Sequence, residues 1–106
     1  MDSVKTSVII EEFKLELDLA LRALDHTQVS IEQCSHWLSH LYKDLSAETQ
    51  VAIVVETWCR YMLRVTIPKK IAFMYLANDL IQKSLLKQTK GTLILPYHTE
   101  FSECIE

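Results

Sequence analysis

Turn formers are scarce: the chain has one glycine and two prolines in 106 residues. That excludes a strand-rich fold built on tight turns. No apolar run approaches the roughly 20 residues a membrane span needs. Residues 1–5, Met-Asp-Ser-Val-Lys, lack the basic start and long apolar centre of a secretion leader. The three cysteines, Cys34, Cys59 and Cys104, are an odd number with no close pairing. They point to reduced thiols, and so to cytosol or nucleus. A single glycine leaves no phosphate-cradling loop, and no serine sits in a nucleophile elbow. Cys59 falls within an apolar stripe and reads as a packing residue rather than a nucleophile. The expectation is a chain that is not an enzyme and carries no cofactor.

What is present is apolar content, at 49%, too much for a disordered chain. The length suits one small domain with one core, taken as residues 1–106. The formal charge of −3 is unevenly spread. Residues 1–58 hold four basic and ten acidic side chains, a balance of −6, and residues 59–106 hold seven and four, a balance of +3. This reads either as ordinary solvated helix faces or as an anion-attracting second half. The acidic total disfavours tight duplex DNA binding, which phosphate neutralisation drives.

Helical periodicity runs through the chain. Residues 7–25 form a first expected helix, carrying Val8, Phe13, Leu15, Leu17, Leu19, Leu21 and Leu24 near the 3–4 spacing. Asp25-His26-Thr27-Gln28 makes a turn. Ser30 followed by Gln33 has the form of a capping box. It starts a second helix to about Lys43, with an apolar stripe of Ile31, Cys34, Leu38, Leu41 and Leu45 and with Trp37 and Tyr42 at its edges. Ser46 caps a third helix whose stripe is Val51, Val54, Val55, Trp58, Cys59 and Met62. Pro68 suits the first turn of a fourth helix, which runs to about Gln88 and stops at Lys90-Gly91. An apolar loop, residues 92–96, leads to a fifth helix near Tyr97 or His98. No strand alternation, internal repeat or low-complexity tract interrupts this pattern, so the class is all-α.

His36 and His40 sit one turn apart, a zinc-compatible spacing, but no third ligand is evident. No metal site is expected.

The stretch Ile71 to Gln82 is the unusual one. Seven apolar or aromatic residues run unbroken, then Asn78 and Asp79 appear, then the apolar run resumes. Desolvating an amide or a carboxylate costs several kcal/mol unless a partner is supplied. At about 100° per residue, Ile71, Tyr75, Asn78, Asp79, Gln82 and Leu86 share one face. Phe73, Leu76, Ala77, Leu80 and Ile81 lie opposite, as core. A face mixing aromatic, amide, carboxylate and aliphatic groups suits a groove that grips a short peptide through a few directed hydrogen bonds. Asp79 can accept from a hydroxyl, Asn78 can donate and accept along a peptide backbone, and Tyr75 offers a flat surface for a proline ring. Lys83, Lys87 and Lys90 lie at the flank, where they can attract phosphate. The plainer reading is that Asn78 and Asp79 tie neighbouring helices together.

Tyr75-Leu76-Ala77-Asn78-Asp79-Leu80-Ile81-Gln82-Lys83-Ser84 resembles the signature of the CTD-interacting domain (CID), the family that binds the heptad-repeat tail of the largest RNA polymerase II subunit. Ser30-Ile31, Trp37-Leu38 and Trp58 extend the resemblance upstream, and it covers roughly residues 15–90. It is nearest to the branch of nuclear pre-mRNA regulators and transcription termination factors. The resemblance implies a right-handed superhelical stack of antiparallel helices, related to the ENTH and VHS folds, and a nuclear protein. The implied ligand is an extended polymerase-tail peptide, phosphorylated or not, turning at its Ser-Pro step. On that likeness Asp79 bonds the heptad tyrosine hydroxyl, Asn78 holds the peptide backbone and Tyr75 lines the proline and tyrosine pocket. His26 falls where relatives place a polar residue, usually Asn, against the peptide. Gln82 and Ile71 complete the peptide-binding set.

One departure from the family pattern concerns phosphate. Relatives read phosphoserine with an arginine from a later helix, and this chain stops before it. The expected fold is therefore truncated, with Lys83 or Lys87 as substitute phosphate contacts. Uncovered apolar surface then predicts self-association through the C-terminal end, around residues 88–98, besides recruitment to an RNA-processing complex. Three alternatives compete. A membrane-traffic adaptor of the VHS or ENTH kind would need a basic lipid patch near the N-terminus, against which Lys5 and Lys14 amid acids argue. The others are a helical scaffold without a peptide groove and direct RNA binding through the basic half.

Overall fold

The computed structural model describes residues 2–43, 45–89, 97 and 101, with side chains described for 5–43, 45–84, 97 and 101. Four α-helices follow in order: α1 (Asp2–Ala23), α2 (Gln28–Leu38), α3 (Ala47–Met62) and α4 (Ile67–Thr89). No strand occurs among the described residues, so the all-α class expected from periodicity is what forms. Tyr97 and Phe101 are also helical and fully buried; the rest of the expected fifth helix lies outside the described residues. The Lys90-Gly91 stop, the 92–96 loop, the Leu86 and Lys87 side chains and most of the 88–98 segment lie outside the described residues.

Within α1 only one of the two apolar rows is core. Phe13, Leu17, Leu21 and Leu24 are buried, whereas Val8, Leu15 and Leu19 are exposed. The reason is geometric: a two-residue offset turns a side chain about 200° around a helix, so Leu15 and Leu19 point away from the row at 13, 17 and 21. The helix also begins earlier and ends earlier than periodicity suggested, at Asp2 and Ala23. Phe13 packs against Trp37 and Tyr42, with ring centroids 5.7 and 5.1 Å apart.

The start of α2 corrects the capping-box reading. Thr27, not Ser30, is the N-cap, its hydroxyl accepting from the Ser30 N–H at 3.3 Å. Ser30 instead takes the Asp25 N–H at 3.1 Å, and Asp25 accepts from the Thr27 N–H and hydroxyl. These bonds, the Thr27 hydroxyl's first, hold the Asp25 carboxyl below its usual range. The helix stops at Leu38 rather than Lys43 because Ser39 and His40 turn back: the Ser39 hydroxyl donates to the Ser35 carbonyl at 2.7 Å, and His40 Nδ1 lies 2.8 Å from the His36 carbonyl. Leu41, read as stripe, is consequently exposed in the loop, while Leu45 re-enters the core.

That loop is held by one buried amide. Gln50, at the start of α3, donates to the carbonyls of His40 at 2.8 Å and Leu38 at 3.4 Å. It also accepts the Tyr42 N–H at 2.7 Å. Tyr97 donates its hydroxyl to the Leu38 carbonyl at 2.6 Å. Buried loop backbone must be paired, and Gln50 supplies the pairing. Ser46 caps α3 as expected, accepting from the Thr49 N–H. Val51, Val54, Val55 and Trp58 are core; Cys59 and Met62 are half-buried. Cys59 is disulfide-bonded. The expectation of three reduced thiols therefore does not hold there; Cys34 is free and buried.

The apolar side of α4, Ala72, Phe73, Leu76, Ala77 and Leu80, is buried, packing against α2 and α3. Trp58 crosses from α3 to donate its indole N–H to the Phe73 carbonyl at 2.8 Å, so the largest core side chain of α3 is also satisfied as a polar group.

Two outcomes are expected. Gln50→Ala strands the His40 carbonyl and the Tyr42 N–H, while the Leu38 carbonyl keeps the Tyr97 hydroxyl, and should lower unfolding free energy by about 2 kcal/mol, measured by urea denaturation with unchanged slope. A loss under about 0.5 kcal/mol would show that the loop pairs otherwise. Burial pushes the Cys34 thiol from 9.0 up to about 11, so at pH 8 it holds about a hundredfold fewer thiolates than a free thiol. Iodoacetamide labelling followed by peptide mapping should show correspondingly slow reaction at Cys34, and rapid labelling would contradict its burial.

Candidate functional site

The face of α4 opposite its core row is open. Ile71, Tyr75, Asn78 and Gln82 are exposed, Tyr75 at 54%. Asp79 and Lys83 lie at the border between this face and the core row, one turn apart, where α4 meets α2. A cleft of about 430 Å³ opens there, lined by Glu32, Gln33 and His36 of α2 and by Asp79 and Lys83 of α4.

The electrostatics of this seam are specific. Lys83 Nζ lies 3.1 Å from Asp79 Oδ2 and donates to the hydroxyl of buried Ser35 at 3.0 Å. The lysine thus ties the carboxylate of α4 to the backbone region of α2. Asp79 Oδ2 is shut off from water and receives no aligned hydrogen bond. The Lys83 contact satisfies it by charge and distance alone, and the ion pair carries no hydrogen-bond geometry at that oxygen. The Asp79 side chain as a whole remains 31% exposed. A carboxylate held against the protein on one side and open to a cleft on the other can accept a hydrogen bond from an entering donor.

The sequence-derived site residues separate into groups. Asp79 and Lys83 are brought together in the cleft. Tyr75, Asn78, Gln82 and Ile71 share the exposed face beside it without lining it. His26 is exposed in the turn before α2, next to the Thr27 cap and outside the cleft lining. Lys83, assigned to phosphate on sequence grounds, is occupied by Asp79 and Ser35; the Lys87 side chain is outside the described residues. Asn78 is exposed, whereas Asp79, through Lys83 and Ser35, does tie α4 to α2, as the plainer reading has it.

Glu32, Gln33 and His36 were missed by sequence reasoning. A signal existed: Glu32 and His36 are one turn apart, beside the buried row Ile31, Cys34, Leu38. Only the pairing of α2 with α4 shows that they face Asp79. His36 and His40 do stand close, with ring centroids 4.7 Å apart. His40 Nδ1 is nevertheless directed at the His36 carbonyl, and no cluster of three metal-ligating side chains occurs among the described residues.

Comparison with known proteins bears on this arrangement. The chain is 35% identical over 76 residues to regulation of nuclear pre-mRNA domain-containing protein 1A of Gallus gallus, covering 72% of this chain and 26% of that protein. It is 34% identical over 76 residues to regulation of nuclear pre-mRNA domain-containing protein 1B of Mus musculus and of Homo sapiens, covering 72% of this chain and 22% of each. The chain therefore spans about a quarter of the length of the curated relatives it matches. No solved structure matches it. The family model of the CID domain matches residues 15–106, which takes in α2, α3, α4 and both walls of the cleft, and the chain belongs to the CID domain family.

Proposed function

We propose that this chain is a single CID module that binds heptad-repeat peptides of the RNA polymerase II tail, in the nucleus and in the regulation of pre-mRNA. The observation that carries the reading is Asp79: a carboxylate pinned by Lys83 at the mouth of the α2–α4 cleft, open to an incoming hydroxyl, beside the exposed aromatic of Tyr75. Asp79 accepts from the heptad tyrosine, Asn78 and Gln82 engage peptide backbone, and Tyr75 with Ile71 packs against proline. His26 borders the entry to α2 and is the outermost contact. The relatives, named for regulation of nuclear pre-mRNA, support the nuclear setting, and membership in an interaction family supports a binding rather than a catalytic role. Association with an RNA-processing complex and self-association through the C-terminal end belong to the same proposal. No described helix is long and apolar enough to cross a membrane.

In this reading Lys83 buttresses Asp79 instead of meeting phosphate. Loss of the buttress should affect phosphorylated and unphosphorylated peptides alike.

Fluorescence anisotropy with two-heptad peptides, with and without serine phosphate, tests both statements. Asp79→Ala should weaken binding by about 1.5–3 kcal/mol, the range for a hydrogen bond to a charged group. Equal binding by wild type and variant would remove Asp79 from the groove. Lys83→Met should weaken both peptides equally, by no more than about 1 kcal/mol for a partly exposed pair. A loss confined to the phosphorylated peptide would instead make Lys83 a phosphate contact.

A further inference from the structure

A second cleft, on helices the first does not share, opens between α1 and α3 with a volume of about 450 Å³. Its α1 wall carries Lys14, Asp18 and Arg22, one turn apart, beside the buried row of Phe13, Leu17 and Leu21. Its α3 wall carries Arg60 and the half-buried Thr57 and Tyr61, with Arg64 in the turn just past the helix end.

The charges here are unbalanced. Four cations meet one carboxylate, and that carboxylate is already engaged: Asp18 takes the Arg22 guanidinium at 3.0 Å and the Tyr61 hydroxyl. Lys14, Arg60 and Arg64 form no ion pair among the described residues. Like charges gathered in a concavity repel one another and focus potential onto an anion. Guanidinium groups match the oxygens of phosphate in a two-pronged geometry that lysine alone does not offer.

The positive region is short. Toward the N-terminal ends of both walls the face turns acidic, with Glu11 one turn before Lys14 and Glu56 one turn before Arg60, both exposed. Beyond Arg22 the next cation, Lys69, is turned onto the carbonyls of Arg22 and Leu24. A long polyanionic strand leaving the cleft would therefore run against carboxylates. A compact anion would not, and the volume falls within the roughly 300–1,000 Å³ of small-ligand sites.

We infer that the α1–α3 cleft binds a compact, multiply phosphorylated small molecule, held by Arg60 and Arg64 on one wall and Lys14 and Arg22 on the other. More than one phosphoryl group is required because Lys14, Arg60 and Arg64 leave a net charge of three beside the Asp18–Arg22 pair, and a single phosphoryl group carries about two at most. The Asp18–Arg22–Tyr61 set fixes the walls at their separation, and the Thr57 hydroxyl lies within the same cleft as a further polar group. This site stands apart from the proposed peptide groove and does not depend on it.

Isothermal titration of the 106-residue chain at about 100 mM salt, where exposed charges are screened beyond about 10 Å, tests the inference. The probes are inositol hexakisphosphate, tripolyphosphate, inorganic phosphate and a single-stranded RNA 10-mer. One or both polyphosphates should saturate a single site at least about tenfold more tightly than inorganic phosphate; the better of the two tells a ring-borne from a linear source. The double variant Arg60→Gln, Arg64→Gln alters two exposed positions, and circular dichroism should show its helix content intact. It should weaken polyphosphate binding by about tenfold or more while leaving heptad-peptide titration unchanged. Absence of polyphosphate binding, indifference of the double variant, or binding of RNA in preference to both polyphosphates would each overturn the inference. Because the peptide titration is read separately, its failure and this one are distinguishable.

Discussion

The placement of α4 is the constraint on which the rest depends. Its core side must be buried against α2 and α3, and Trp58 locks it there by donating into the Phe73 carbonyl. Once that side is fixed, a residue at position 79 has no choice but to stand at the α2 border. A carboxylate at such a border is partly desolvated, which is unfavourable without a partner. Lys83, one turn later, supplies the charge, and Ser35 receives the other end of the same ammonium group. The lysine is thus fixed at two points, and the carboxylate is held in one position before any ligand arrives.

Preorganisation matters because the site is small. A partly exposed ion pair contributes at most about 1 kcal/mol to stability, so Asp79 and Lys83 are a poor investment as structural glue. Residues of similar volume and no charge would seal the α2–α4 seam as well or better. The pair makes more sense as an acceptor kept ready, with its ordering entropy already spent in folding. The same logic applies to Asp18, Arg22 and Tyr61 between α1 and α3, where a satisfied carboxylate spaces two walls whose remaining cations have no ion-pair partner among the described residues.

Much of this was legible in the sequence. Spacing alone assigned four helices, the Ser46 cap and the division of α4 into a core row and a mixed face. It failed where a second influence competed with periodicity. Leucines in α1 were read as one broad stripe, but Leu15 and Leu19 are exposed at 68% and 67%; counting apolar residues does not tell which of two rows meets the core. The end of α2 moved because Ser39 and His40 compete for helix carbonyls, a local preference of serine and its neighbours that a stripe ending in Leu41 concealed. Glu32, Gln33 and His36 could not be placed in the site without knowing which helix α2 faces. The α1–α3 cleft was invisible for the same reason: its cations are divided between the acidic half of the chain and the basic half.

If the α2–α4 cleft is the proposed peptide groove, its strength can be bounded from its parts. One charge-assisted hydrogen bond contributes about 1.5–3 kcal/mol, and an exposed aromatic packing on proline adds a ring-contact contribution of about 0.5–1.5 kcal/mol. Against these stand the losses of translational freedom and of peptide flexibility. Even generous addition leaves a single repeat far from nanomolar, which requires about 12 kcal/mol. A weak groove is nonetheless well matched to a repetitive ligand. Each neighbouring repeat on the same tail is present at high effective concentration, so a module that releases one repeat meets another before it diffuses away. If two such modules were joined, avidity would rise without any new contact. On the proposed reading, a single charge-assisted bond at Asp79 is therefore what a reader of repeats needs, rather than what a single tight epitope needs.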